Sequence, residues 1–200
     1  MNTPKAHLVD DDEAIRDALS WLLSSRGLPS ATYPAAEDFL AAWTPATCGC
    51  VVLDMRMNGM SGLDCFDALL DRGSTLPVIF LTGHGDVPLA VATLKRGAFD
   101  FFEKPLNDNE LATRIGEAMA LDALQRAANA TLDSVNARVS RLTTRERQIM
   151  DLVLAGKYNK VIADELNISM RTVEVHRANL FEKMQVKTAV ELANLFKTGR

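Results

Sequence analysis

Residues 7–16, HLVDDDEAIR, join a short apolar run to a segment of helical period through three successive aspartates. The same alternation continues through the front half of the chain. Further apolar runs, CVVLDM, LPVIFLT and AFDFFE, alternate with helical segments such as EAIRDALSWLLSSRG and GLDCFDALLDRG. Gly27, Gly73 and Gly97 each follow a helical segment, where a left-handed residue ends a helix. Alternating strands and helices predict an α/β domain with a parallel sheet.

Polar residues follow the apolar runs at the points where the predicted strands end. The aspartates 10–12 follow the first run, Asp54 follows the second, Thr82 the third and Lys104 the fourth. In an open parallel sheet, ligands bind outside the carboxyl ends of the strands. We therefore expect these side chains to share one edge of the sheet.

Several carboxylates at one edge repel each other unless a cation lies among them. Mg²⁺ prefers oxygen ligands and takes one or two carboxylates, so it suits this cluster. An aspartate can act as the nucleophile in phosphoryl transfer when a metal and a lysine neutralise the developing charge. We assign this role to Asp54, because it is alone on its strand.

The composition is that of a globular protein, with 48% hydrophobic and 24% charged residues in a chain of 200. This length suits one large domain or two small ones, and we expect two. No apolar run approaches the roughly 18 residues of a membrane span, and the first residues lack the apolar stretch of a secretory signal. We therefore expect a cytoplasmic protein without a membrane partner. Cys48, Cys50 and Cys65 are expected to be reduced core thiols.

The formal charge of −4 hides a difference between the two halves. Residues 1–120 hold 9 basic and 17 acidic residues, a net charge of −8, whereas residues 121–200 hold 13 and 9, a net charge of +4. The back half is therefore the better candidate for binding a polyanion.

The back half is predicted to be helical, because all seven prolines lie at or before Pro105. An apolar stripe with spacings of three or four residues indicates a helical linker that begins near residue 121. Its members are Leu121, Leu124, Ala128, Leu132, Val135, Val139 and Leu142. The stripe can pack on its own domain, or it can form a coiled coil with a second chain.

Capping signals divide the end of the chain into short helices, two of which are separated by three or four residues and predict a helix-turn-helix. The signals are capping boxes at Thr143 with Glu146 and at Thr188 with Glu191, a C-terminal Gly156, a left-handed Asn167, and Ser169 as N-cap of a helix to about Met184.

The helix that Ser169 caps has the periodicity of a DNA-reading helix, with Val173, Leu180 and Met184 directed inward. The residues predicted to be mostly exposed are Arg171, Thr172, Glu174, Val175, Arg177, Ala178 and Lys183. Such a small, basic face could enter a major groove. The alternative is a solvated face of a protein-binding module.

Four motifs of the front half, VDDD, LDMRM with MSG, LTGHGD and FDFFEKP, together resemble the receiver domain of two-component response regulators. The resemblance implies a doubly wound, flavodoxin-like sheet of five parallel strands. It makes Asp10 and Asp11 the acidic pair. It also implies that Asp11, Asp54 and the main-chain carbonyl of Arg56 hold Mg²⁺, while Asp12 lies at a helix N-terminus.

The same resemblance makes Asp54 the phosphoacceptor, with Thr82 and Lys104 as contacts of the phosphoryl group. Phe101 matches the aromatic switch of the family, and the peptide bond from Lys104 to Pro105 should be cis. Arg56 and His84 occupy positions that tune the lifetime of the acyl phosphate. Asn58 departs from the family pattern, because a proline usually stands there.

Residues 141–197 resemble the LuxR-type (NarL-type) DNA-binding domain through LTTRERQIM, NK.IA..L.IS and TVE.H..N...KM. By this resemblance Glu174, Val175 and Ala178 reach base edges, where a glutamate can accept from a cytosine amino group. The residues suited to phosphate contacts are Lys160, Thr172, Arg177 and Lys183, and the exposed Arg171 is expected to be a further DNA-binding residue.

Both halves together are similar to the FixJ subgroup of response regulators. This implies a receiver at 1–120, a helical linker at 121–140 and a DNA-binding domain at 141–200. The implied partners are a sensor histidine kinase, double-stranded DNA, RNA polymerase and, after phosphorylation, a second copy of the chain. The residues expected on the dimer face are Val87, Leu89, Val91 and Lys95.

Two other functions fit parts of the pattern. The receiver could be a constitutive dimerisation module that does not respond to phosphorylation. The chain could instead be a metal-dependent phosphohydrolase, although Arg56 stands where such an enzyme would need a second aspartate. As a response regulator, the protein would not be an enzyme for external substrates and would catalyse only its own phosphorylation and dephosphorylation.

Overall fold

The computed structural model describes residues 3–83 and 87–197, and the chain divides into two compact units, Met1–Gln125 and Arg126–Arg200. Within the described residues the chain forms five strands and nine helices. None of these helices combines the length and the apolar character that a membrane span needs.

The first unit alternates strands and helices, as the apolar runs predict. Its elements are β1 (Lys5–Val9), α1 (Glu13–Ser25), β2 (Ser30–Tyr33), α2 (Ala36–Ala42), β3 (Gly49–Asp54), α3 (Gly62–Asp71), β4 (Val78–Thr82), α4 (Val87–Lys95) and β5 (Asp100–Glu103). Helix α5 (Asp108–Ser140) follows after residues 104–107 and runs across the boundary between the two units.

All strand pairs are parallel and the strand order is β2-β1-β3-β4-β5, so the fold is the predicted flavodoxin-like one. Successive residues of β3 point to opposite faces: Val51 and Leu53 pack with α2 and α3, whereas Cys50 and Val52 pack with α1 and α5. Cores therefore lie on both faces of the sheet. The three cysteines are buried and free, as expected.

The helix ends follow the predicted capping chemistry. Asp12 is the N-cap of α1, and its carboxylate accepts a hydrogen bond of 2.9 Å from the backbone N–H of Ala14. Gly27, Gly73 and Gly97 have φ values of 70°, 72° and 101° after α1, α3 and α4. A Cβ would disfavour this left-handed backbone, so glycine ends these helices at little cost.

The second unit packs short helices around one core. They are α6 (Thr144–Leu154), α7 (Asn159–Leu166), α8 (Met170–Met184) and α9 (Ala189–Lys197). The predicted inward residues of α8, Val173, Leu180 and Met184, are each 0% exposed. Asn167 has φ 52° and ψ 50°, which confirms the predicted left-handed turn between α7 and α8.

The capping boxes are confirmed at one site and altered at the other. Thr143 and Glu146 form the predicted reciprocal box at the start of α6. The Thr188 hydroxyl accepts from the N–H of Glu191, but the Glu191 carboxylate accepts from Lys187 rather than closing the box on the cap residue. At the start of α9, Glu191 therefore caps the backbone N–H of Lys187, one residue before the predicted partner Thr188.

The apolar stripe of the linker is buried only in part, and the coiled-coil alternative stays a prediction. Val135 and Leu142 are each 6% exposed and pack in the core of the second unit. Leu121, Leu124 and Leu132 are instead exposed. Packing on its own unit therefore accounts only for the C-terminal part of the stripe.

Candidate functional site

The acidic cluster lies at the topological switch point of the sheet, between β1 and β3. Val9 pairs with Leu53, so Asp10 follows β1 next to Asp54, the last residue of β3. The connections leave β1 and β3 in opposite directions here and open a crevice at the carboxyl ends of the strands. The predicted residues therefore meet because of strand order, not because of closeness in sequence.

Lys104 bridges the two buried carboxylates of this crevice. Its Nζ donates to Asp10 Oδ2 at 2.9 Å and to Asp54 Oδ1 at 2.6 Å. Asp10 is 2% exposed and Asp54 is 5% exposed, so both carboxylates are largely removed from water. Two buried charges of the same sign persist here because the ammonium group lies between them.

Backbone donors fix the orientation of these carboxylates. The N–H of Arg56 donates to Asp54 Oδ2 at 3.0 Å, and that of Asp12 donates to Asp10 Oδ1 at 2.9 Å. Each carboxylate therefore has one oxygen on the lysine and one on the backbone. The two contacts therefore fix the orientation of the Asp54 carboxylate.

The electrostatic environment of Asp54 is a balance of opposing effects. Burial raises the pKa of Asp54, while the hydrogen bond and charge of Lys104 lower it, and the net result is a pKa above the ordinary value. The pKa of Lys104 is also raised: burial lowers it, but the hydrogen bonds to Asp54 and Asp10 outweigh burial. The cluster is therefore short of positive charge.

The cluster fits a hard divalent ion. Asp10, Asp11 and Asp54 each offer a carboxylate oxygen, and these oxygens all lie within 4.8 Å of one another. A set of oxygen ligands with surplus negative charge is what Mg²⁺ prefers. The predicted ligand role of the Arg56 carbonyl stays a prediction.

Thr82 and Lys104 come to the same edge through neighbouring strands. The backbone N–H of Lys104 donates to the carbonyl of Thr82 at 2.8 Å, and the peptide bond from Lys104 to Pro105 is cis, as the resemblance implies. The Thr82 side chain is fully buried, and its hydroxyl donates to the carbonyl of Gly83 at 3.2 Å. This hydroxyl must therefore change partner to contact a phosphoryl group.

Phe101, the predicted switch, is half-buried on β5. It pairs in register with Phe80 of β4 and packs against the core cluster shared with α3. A rotation of the Phe101 ring would therefore change the packing on the face of the sheet that α2 and α3 cover. His84, predicted to tune acyl phosphate lifetime, lies outside the described residues, and Arg56 is exposed.

The loop after β3 contains contacts that the sequence did not predict. Asn58 donates to Asp11 Oδ2 through its backbone N–H at 3.1 Å and its side-chain amide at 2.7 Å. Glu37 of α2 accepts from the N–H of Met60 at 2.9 Å. The departure from proline at position 58 was the visible signal, whereas nothing in the sequence marked Glu37.

The predicted dimer face of α4 carries exposed apolar side chains. Leu89 is 39% exposed and Val91 is 42% exposed, and Lys95 is also exposed. Leu94, which was not predicted, belongs to the same helix and is 36% exposed. The side chain of Val87 lies outside the described part of the chain.

The exposed face of α8 differs in part from the predicted one. Arg171, Glu174, Val175 and Ala178 are exposed. The other three residues of the predicted face, Thr172, Arg177 and Lys183, are half-buried. The predicted base-reading residues are thus accessible, whereas several predicted phosphate contacts have partners within the protein.

Those partners explain the partial burial. Arg177 donates to Asn159 Oδ1 at 2.9 Å and lies over the ring of Phe181. Lys183 forms an ion pair with Glu146, at 2.7 Å from Oε2, and Glu146 is only 3% exposed. Lys183 therefore stabilises a buried carboxylate of α6.

The Thr172 hydroxyl has a local partner as well, since it lies 2.8 Å from the hydroxyl of Ser169 at the helix cap. Lys160 on α7 is exposed, as a phosphate contact requires. It lines an open groove of about 550 Å³ together with Tyr158 and Arg177. The groove places positive charge beside the exposed face of α8.

Comparison with known proteins identifies two families in the chain. Residues 6–116 match the profile of the response regulator receiver domain, and residues 140–196 match that of the bacterial regulatory proteins of the luxR family. The two matches correspond to the acidic α/β unit and to the helical unit. Each family match therefore covers the unit that contains one of the two candidate sites.

Several relatives resemble the chain over nearly its whole length. DctR of Rhodobacter capsulatus, a C4-dicarboxylate transport transcriptional regulatory protein, is 49% identical over 94% of this chain and 97% of its own. The transcriptional regulatory protein FixJ of Bradyrhizobium diazoefficiens is 43% identical over 96% of this chain and 95% of its own. The structure of the response regulator StyR is 39% identical, with a TM-score of 0.91 over 98% of this chain and 99% of that one.

The acidic crevice lies in the region that matches the receiver family, and the exposed helix α8 lies in the region that matches the luxR family. The chain belongs to the FixJ-like two-component response regulators, which join a receiver domain to a LuxR-type DNA-binding domain.

Proposed function

We propose that a sensor histidine kinase phosphorylates Asp54 and that this modification switches dimerisation and sequence-specific DNA binding. The observation that carries the proposal is the buried Asp54 carboxylate, held between Lys104 Nζ and the N–H of Arg56. A carboxylate in this position is oriented for attack, and the ammonium group of Lys104 beside it can neutralise part of the charge that develops on a phosphoryl group.

In the proposed reaction, a carboxylate oxygen of Asp54 forms a bond to the phosphorus of a phosphohistidine. The bond from phosphorus to the imidazole nitrogen breaks, and the imidazole leaves with the bonding electron pair. Asp10, Asp11 and Asp54 would hold Mg²⁺, which when bound neutralises phosphoryl oxygens. Lys104 contacts the new acyl phosphate, and no other substrate is consumed.

The donor protein must approach the rim of the crevice that contains Lys104. An apolar groove of about 260 Å³ adjoins this rim, lined by Ile15, Ala18 and Leu19 of α1 and by Pro105 and Leu106 after β5. A kinase helix with an apolar face suits such a groove, since docking there brings its phosphohistidine close to Asp54.

The proposed switch runs from the phosphoryl group to α4 and β5. The Thr82 hydroxyl leaves the carbonyl of Gly83 and donates to a phosphoryl oxygen. This movement of the Thr82 side chain vacates the space that it occupied. Phe101 turns inward into that space. Because Leu89 and Val91 lie on the neighbouring α4, the change alters a face that already exposes apolar side chains.

Pairing of two copies through Val87, Leu89, Val91 and Lys95 would bring two DNA-binding domains to adjacent half-sites. Glu174, Val175 and Ala178 would read base edges, while Lys160 and Arg171 contact phosphates. The bound dimer would then regulate transcription through RNA polymerase. Phosphorylation acts only to the extent that it favours this dimeric state.

The chemical step is tested by incubating the full chain with Mg²⁺ and acetyl phosphate, followed by peptide mass spectrometry. One phosphoryl group is expected on the peptide that contains Asp54, and none in Asp54→Asn. A chelator should prevent the modification in the wild-type protein. Equal labelling of Asp54→Asn, or labelling at another residue, would overturn the assignment of the phosphoacceptor.

A further inference from the structure

Asn58 makes a bidentate contact with one of the proposed magnesium ligands. Its backbone N–H and its side-chain Nδ2 both donate to Asp11 Oδ2, at 3.1 and 2.7 Å. A carboxylate only accepts hydrogen bonds, so the amide nitrogen and not the amide oxygen must face it. A proline at this position could supply neither donor.

Asp11 depends on this contact more than its neighbours do. Asp10 and Asp54 are buried and share the ammonium of Lys104, whereas Asp11 is exposed. In the described part of the chain, both hydrogen bonds recorded for the Asp11 carboxylate come from Asn58. Without Asn58 the Asp11 side chain would be free to rotate in solvent, and ordering it would oppose metal binding.

The loop that carries Asn58 is itself fixed on both sides. Before Asn58, the N–H of Arg56 is bonded to Asp54 Oδ2 at 3.0 Å. After Asn58, the N–H of Met60 is bonded to Glu37 Oε1 at 2.9 Å. Since both anchors are carboxylates on other elements, the position of Asn58 is defined before any ion arrives.

We propose that Asn58 is a positioning residue that prepares Asp11 for magnesium. The inference rests on the proposed function, because it concerns the same metal site. Both donors use Oδ2, which leaves Oδ1 available to the ion. Hydrogen bonds of this kind orient a ligand, and losing them typically lowers metal affinity 10- to 100-fold. The chain thereby uses two donors where the family usually has a proline.

The test is a calorimetric titration of the full chain with Mg²⁺, repeated with Mn²⁺ as a second oxygen-preferring ion. Asn58→Ala removes the side-chain donor, and Asn58→Pro removes both donors. We expect affinity to fall about 10-fold in Asn58→Ala and at least as far in Asn58→Pro. Asn129→Ala, at an exposed position of α5, should bind as the wild type does. Thermal unfolding of each variant verifies that it is folded.

A double-mutant cycle separates positioning of Asp11 from a general effect on the loop. In the Asp11→Asn background, adding Asn58→Ala should produce no further loss of affinity. An equal loss in both backgrounds would overturn the proposal, since Asn58 would not act through Asp11.

The remaining outcomes distinguish the inference from the proposed function. If the wild-type chain bound neither ion, the magnesium-dependent function itself would fail. Metal binding by the wild type with unchanged affinity in Asn58→Ala would overturn only the role of Asn58. Tighter binding in Asn58→Ala would also overturn it, because Asn58 would then compete with the ion for Asp11.

Discussion

The ammonium group of Lys104 lies 2.6 Å from Asp54 Oδ1 and also contacts Asp10, so one cation joins the ends of β1, β3 and β5. Because both carboxylates are buried, the contact is an electrostatic requirement of the folded sheet edge as well as a feature of the chemistry. The site therefore couples stability to reactivity.

Removal of this cation should destabilise the receiver. In Lys104→Met, Asp10 and Asp54 would face each other without the cation between them, and we expect a loss of about 1–3 kcal/mol in the free energy of unfolding. Mg²⁺ should restore part of the loss, because it supplies the missing positive charge. Chemical denaturation with and without Mg²⁺ measures both effects.

Arg96→Met is the matched control, since Arg96 and Asp67 form an ion pair whose side chains are 46% and 45% exposed. Breaking an exposed pair should cost less than about 1 kcal/mol, and Mg²⁺ should have no effect on it. Equal losses in the two variants would contradict the special role of Lys104.

Gly62 should be intolerant of any side chain. A Cβ there would lie 2.2 Å from the carbonyl oxygen of Asp54, which is backbone and cannot move away without shifting the phosphoacceptor. We expect Gly62→Ala to cost about 2–4 kcal/mol and to reduce phosphorylation. Gly116→Ala, in a helix with open space, should be neutral or stabilising by up to about 1 kcal/mol. Thermal unfolding compares the two, and similar midpoints would refute the packing argument.

The ion pair between Glu146 and Lys183 should make the helical unit sensitive to acid. Burial raises the pKa of Glu146, but the hydrogen bonds from Lys183 and Thr143 outweigh burial, and the pKa lies below its ordinary value. A carboxyl group with a lowered pKa contributes stability above its unfolded-state pKa and loses it as pH falls through the folded-state pKa. This loss of stability therefore begins near the ordinary glutamate pKa of about 4.3 and continues as the pH falls further.

Glu146→Gln should therefore lower the free energy of unfolding by about 1–3 kcal/mol at neutral pH, with a difference from wild type that shrinks in acid. Glu165→Gln breaks an exposed pair with Lys157 and should cost less than about 1 kcal/mol. Denaturation curves at pH 7 and in acid test this. A difference that grew on acidification would have the wrong sign.

The DNA-binding residues should divide into two classes. Lys160→Ala should weaken binding to all sequences and reduce the slope of log affinity against log salt by about 1. Glu174→Ala should instead relax the preference at one base pair by about 1–3 kcal/mol. Binding to DNA selected from a random pool, measured at several salt concentrations, separates the classes. A change of salt slope in Glu174→Ala would contradict its assignment to base reading.

Much of the fold could be predicted because the local signals agree with one another. Apolar runs, helical periods and C-terminal glycines mark most elements of the receiver, and Asn167 and Ser169 mark the turn of the helix-turn-helix. β2 is the exception. It is a four-residue edge strand, SATY, whose residues are only partly buried, so it has no apolar run to reveal it.

The acidic site was predictable for a topological reason, and its supporting contacts were not. Parallel pairing of β1 and β3 brings Asp10 and Asp54 to one edge of the sheet, independently of the conformation of the loops that follow. By contrast, the contacts of Asn58 with Asp11 and of Glu37 with the same loop depend on backbone positions that no periodicity encodes. For the same reason, α8 periodicity placed Lys183 on an exposed face, although its long side chain reaches Glu146.

The most direct test of the account measures molecular mass and DNA binding in the same sample, before and after addition of Mg²⁺ and acetyl phosphate. Wild type and Asp54→Asn are compared under identical conditions. The account predicts that only the wild type dimerises and binds DNA more tightly after the addition. If both proteins dimerised and bound DNA equally without it, or if neither responded, phosphorylation of Asp54 would not control the protein.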